Sequence, residues 1–140
     1  MLSSQALIRK IVFSSTFAFT LLGSALAYAA PFQAGKSANC TNSNICRLRF
    51  AGPSPGKTLT VEHMTCKVLT TTAAPAWVVQ MFDGTHALYL NTEIQDDAQR
   101  SLVAGGPVTF RTRGTTLTVE ALLGGFMDSQ LSCTITGQTN

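Results

Sequence analysis

Four cysteines and two histidines carry most of the chemistry this 140-residue chain could perform. Cys40, Cys46, Cys66 and Cys133 would be nucleophiles or metal ligands as thiolates, and structural staples once oxidised. The close cysteine pairs that four-cysteine zinc sites use are absent. His63 and His86 each lie beside a methionine in a strand reading of the chain. His63 precedes Met64, and an expected hairpin sets His86 opposite Met81. Imidazole and thioether ligands together suit copper in an oxidising compartment, so His63, Met81 and His86 are weak metal candidates. The plainer expectation has Met81 filling the core edge, His86 beside a turn and His63 on the surface next to Glu62. Nothing in the sequence gathers the two pairs, and no metal or cofactor is implied.

Other catalytic arrangements fare no better. No serine sits in a G-x-S-x-G elbow. The histidines lack metalloprotease spacing, and no glycine-rich loop opens a helix. Acidic residues stand alone except Asp96-Asp97, so no glycosidase carboxylate pair stands out. Asn91–Asp97 is rich in oxygen ligands but does not fit an EF-hand, and it reads as a solvated connection. These absences argue against an enzyme.

The elements that would position these residues begin after residue 29. Arg9-Lys10 precede an apolar run from Ile11 to Ala27, closed by Ala27-Tyr28-Ala29. A basic start, an apolar middle and small residues at the cleavage site read as a Sec-type signal peptide over 1–29. The run is diluted by Ser, Thr and Gly, which disfavours the alternative of a retained membrane anchor. A secreted or periplasmic location follows, with no membrane association after cleavage. There, four cysteines read as two disulfides. Cys40 and Cys46 bracket a polar loop, while Cys66 and Cys133 sit among alternating apolar residues and are expected to join across the core. On the loop-entropy model the long bridge contributes about 4 kcal/mol and the short one about 2 kcal/mol.

Loss of Arg9 and Lys10 with the leader takes the formal net charge from +3 to +1. The remaining basic residues are scattered, which excludes a phosphate-tracking stripe and hence nucleic-acid binding. Residues 30–44 look like a flexible lead-in, and 45–140 like one β domain. From Ile45 onward the chain is rich in Thr, Val, Leu and Phe and is broken by turn residues at short intervals. Asp83-Gly84 predicts a two-residue hairpin turn pairing Met81 with His86 and Val79 with Leu88. That register puts Trp77, Val79, Met81, Leu88 and Leu90 on the core face. A second hairpin through Arg113-Gly114 would pair Phe110 with Leu117 and Val108 with Val119. Between Val61 and Met64 the alternation changes phase, which predicts a bulge at Glu62-His63. Leu131, Cys133 and Ile135 alternate cleanly inward.

This pattern predicts an all-β fold: an antiparallel β-sandwich with Greek-key or jelly-roll wiring and two disulfides, with a small β-barrel as the alternative. The stretches Gly56–Cys66 and Leu131–Gly137 resemble those of a loose group of short exported bacterial proteins of uncharacterised function. The resemblance implies a secreted β-sandwich and supplies no activity or site residues. One segment breaks the alternation. In Ala121–Met127 both parities are apolar, so it is either buried on both sides or exposes Leu122, Phe126 and Met127 to a partner. The expected function is non-catalytic binding of a protein or an envelope glycan. A structural or assembly subunit of a surface structure is the alternative, and a small metal-binding protein or hydrolase a further one.

Overall fold

The computed structural model describes residues 29–73, 78–95, 98 and 100–140. The expected leader up to residue 28, Trp77 and Asp96-Asp97 lie outside these described residues. The described chain forms seven strands and no helix. They are β1 (Ala30–Ala51), β2 (Leu59–Thr70), β3 (Val78–Phe82), β4 (Ala87–Leu90), β5 (Thr92–Ile94), β6 (Ser101–Thr112) and β7 (Thr116–Thr139). All pairings are antiparallel, in one sheet of order β4-β3-β7-β2-β6-β5, with β1 on the other side of β7. The sheet curls until β4 approaches β6, giving a nearly closed, barrel-like body. Both cysteine pairs are oxidised.

The 24-residue β7 is the axis of the fold. Its first half pairs with β3 and its second half with β2, while β1 follows it along nearly its whole length. Ala30 thus faces Thr139, and Ala51 faces Thr116. The flexible lead-in expected over 30–44 is therefore corrected, because the whole of it lies within β1. Its polar composition suits an outer edge strand: Phe32, Ala34 and Ala38 pack on the core while the residues between them face solvent.

Inward residues follow the alternation closely. Leu48 and Phe50 meet Leu117, Val119 and Met81, and Leu59, Val61, Met64 and Val68 meet Leu102, Leu131 and Ile135 in one buried cluster. The predicted bulge is present, with register shifting between Val61 and His63 against both neighbours of β2. It draws three backbones unusually close. A Cβ at Gly137 would lie 2.0 Å from the Thr60 carbonyl oxygen, and one at Gly105 2.0 Å from that of Met64. Only glycine fits on either side of this bulge.

Two pairings differ from expectation. In the β3–β4 hairpin the register slides by two residues, so Met81 faces Leu88 and Val79 faces Leu90. The loop takes in Asp83, Gly84, Thr85 and His86 and is closed by the Asp83 amide donating to the His86 carbonyl at 3.2 Å. An even slide leaves every side chain on its expected face, so parity alone could not exclude it. The second hairpin does not form. β6 pairs with β2 and β5, β7 pairs with β1, β2 and β3, and Phe110 faces Val61 rather than Leu117. A type I′ turn needs a positive φ at both central residues, and neither Arg113 nor Gly114 has one. Arg113-Gly114 instead carries the chain from one half of the barrel to the other. Thr92–Ile94, expected as part of a loop, adds a short strand to β6.

Candidate functional site

The two ends of the barrel present different chemistry, and β2 runs between them. One end is a corner where β1 and β7 bend together. The Cα atoms of Cys40 and Cys46 are 5.6 Å apart and bridged, whereas six residues of straight strand would span about 20 Å. Asn42 takes a left-handed φ of 46°, which Asn tolerates better than most residues. Its amide donates to Asp128 Oδ1 at 2.8 Å, and the Ser43 hydroxyl donates to the Ile45 carbonyl at 2.7 Å. The loop bracketed by the short disulfide is thus also tied to the opposing strand.

On the β7 side of this corner lies the doubly apolar segment. The structure divides it. Ala121 and Leu123 enter the core, Leu122 is half-buried on the outer face, and Phe126 stands 72% exposed. Met127 is half-buried and accepts a contact from the Thr72 hydroxyl at 3.7 Å. Leu122 has Ile45 and the exposed Val78 as its cross-strand neighbours, so an aliphatic row borders the corner. The next row along the sheet is polar. The buried Glu120 carboxylate accepts from Arg47 Nε and, at 2.9 Å, from Gln80 Nε2, which satisfies its burial on an outward face.

The other end gathers the start of β2, the β3–β4 loop and the β6–β7 connection around a cleft of about 450 Å³. Asp83 organises its wall. Its Oδ1 accepts the amides of Thr85 and His86, both at 2.9 Å. Burial of this carboxyl works to raise its pKa. The Thr112 hydroxyl, the His86 and Thr85 amides and the nearby His86 ring together outweigh burial and hold it below the ordinary carboxylate value. Arg111 and Arg113 line the same cleft, and Arg113 Nε donates to the Thr58 hydroxyl at 3.3 Å.

The metal candidates do not converge. Met81 is fully buried in the core, whereas the His86 side chain is 71% exposed in the loop, so the expected Met81–His86 pair is not formed. Met64 points inward and the neighbouring His63 outward, against Thr65. The long disulfide also differs from expectation in one respect. Cys66 and Cys133 face each other on neighbouring strands, with Cα atoms 4.1 Å apart, so the bridge fastens β2 to β7 within the sheet and does not cross the core. No local sequence signal marks the cleft or its arginines. In sequence Asp83-Gly84 and Arg113-Gly114 signal only turns, and their meeting depends on topology.

Among known proteins, neither a protein-family model nor a curated relative matches this chain. Two disulfides in one small β domain fit an oxidising, extracytoplasmic environment. Among the described residues no helix is long and apolar enough to cross a membrane.

Proposed function

We propose that the protein is exported on a Sec-type leader over residues 1–29 and works, secreted or periplasmic, as a non-catalytic module that binds another protein through the corner around Phe126. The observation that carries this reading is Phe126 itself, 72% exposed on a segment opposite a disulfide-closed loop. An aromatic side chain on a rigid frame gives a large contact area with little ordering cost on binding. Leu122, Ile45 and Val78 form a separate aliphatic row further back along β7, and apolar side chains suit a protein groove better than a hydroxyl-rich envelope glycan.

The test compares the oxidised protein with Phe126→Ser in capture from an envelope extract of the native host. The variant is expected to melt within about 0.5 kcal/mol of the parent, as exposed substitutions do, and to lose the captured protein. Equal capture by a folded Phe126→Ser protein would remove the interface.

A second reading, an assembly subunit pairing edge to edge, has one observation in its favour: among the described residues β1 pairs only with β7, which leaves its other edge without a strand there. Lys36 counts against it. Its ammonium donates to the Arg49 carbonyl at 2.6 Å and lies 5.8 Å from the Phe50 ring centroid, so a charged side chain crosses this edge. Sedimentation over a hundredfold concentration range separates the two, since a monomer throughout excludes self-assembly through β1.

A further inference from the structure

The cleft at the end opposite Phe126 has a composition that neither the fold nor the proposed interface requires. Arg111 and Arg113 are two apart along an extended segment, which aims both side chains to one side at a spacing of about 7 Å. Both line the cleft, with the hydroxyl residues Thr58 and Thr85 and the exposed ring of His86 around them. Neither guanidinium makes an ion pair among the described residues. The one carboxylate in the wall, Asp83, is only 6% exposed and already accepts the Thr85 and His86 amides, besides a bond from Thr112. Its acceptor sites are therefore taken up by the loop it organises and by Thr112, and no bond described in the fold engages the arginine donors other than Arg113 Nε, which donates to Thr58. Guanidinium groups bind carboxylate, sulfate and phosphate through paired, charge-assisted hydrogen bonds.

We infer that this cleft is a binding site for an oxyanion borne on a small, sugar-sized ligand, held by Arg111 and Arg113 with Thr58, Thr85 and His86 at its rim. The volume, about 450 Å³, is larger than a bare oxyanion needs and falls in the range of small-ligand pockets. The inference stands apart from the Phe126 interface. β2 starts at this cleft beside Thr58 and ends near the corner at Thr70, so the two sites can be lost separately.

The test is an amide NMR titration of the oxidised protein at constant chloride with inorganic phosphate, sulfate, glucuronate and, as the uncharged control, glucose. Saturable shifts of the Thr85, His86 and Gly114 amides are expected with at least one oxyanion and none with glucose. Phosphate or sulfate binding as well as glucuronate marks the free oxyanion as sufficient, and binding of glucuronate alone marks a sugar acid. The double variant Arg111→Gln/Arg113→Gln is expected to bind at least tenfold more weakly. Arg111→Gln alone, which gives up no hydrogen bond described in the fold, is expected to weaken binding with the resonances around Phe126 unmoved. Absence of saturation with every anion, glucose shifting the same amides as glucuronate, or undiminished affinity in the double variant would each overturn the assignment.

Discussion

The corner end and the cleft end of this barrel solve one problem, holding irregular backbone still, by different means. At the corner a covalent bond between Cys40 and Cys46 closes the turn, and the side chains nearby are free to be apolar and exposed, Phe126 above all. At the cleft an ionised Asp83 gathers two amides and the Thr112 hydroxyl, so order there depends on charge. The first end is sensitive to redox state and the second to pH. Function divides the same way in our reading, with an apolar protein contact at one end and an oxyanion at the other.

The comparison is sharpened by substitutions acting on the shared frame, on one end, or on the other. Replacing both Cys66 and Cys133 by Ala removes the bridge of sequence separation 67 from the middle of the sheet. The expected loss is the largest, about 4 kcal/mol, with hydrogen exchange accelerated at both ends. A loss confined to one end would show that the two halves do not share a frame. Replacing Cys40 and Cys46 by Ser is expected to cost about 2 kcal/mol and to accelerate exchange around residues 122–128, leaving Thr85 and His86 protected. Comparable deprotection of the cleft loop would break the distinction between the ends.

Asp83→Asn is expected to cost the least, about 1 kcal/mol at neutral pH, and only at the cleft. The folded pKa of Asp83 is depressed, so its stabilisation is complete above the ordinary carboxylate pKa and is lost as pH falls through the folded value. Urea melts of parent and variant are therefore expected to differ at pH 7 and to converge in strong acid. A gap of constant size at both pH values would show that the charge of Asp83 plays no part.

Much of this fold is legible in the sequence because inward and outward positions are. Leu131, Cys133 and Ile135 are buried as their alternation requires, and the phase change at Glu62-His63 marks a real bulge. Partner choice is not legible by the same means. Val108, Phe110, Leu117 and Val119 keep the parity a hairpin would demand while β6 and β7 lie on opposite sides of β2. The slide in the β3–β4 hairpin hides equally well, because Asp83 builds a four-residue loop from a sequence that also suits a two-residue turn. Polar spacing makes 30–44 look unstructured, although a few half-buried side chains such as Phe32, Ala34 and Ala38 are enough for an edge strand paired along its length with β7. At the sites, the apolar excess of Ala121–Met127 pointed to Phe126. The cleft was invisible, since Thr58, Asp83 and Arg113 meet only through long-range pairing.

The pairing of β1 with β7 has a further consequence, for timing. The first strand finds its partner only when the last is available, with Ala30 set against Thr139. Such distant contacts make for slow, late assembly. A nascent chain emerging from the ribosome has no companion for β1 until the residues of β7 have been made. The barrel is thereby held open through most of its making, and the seam between β1 and β7 snaps shut late.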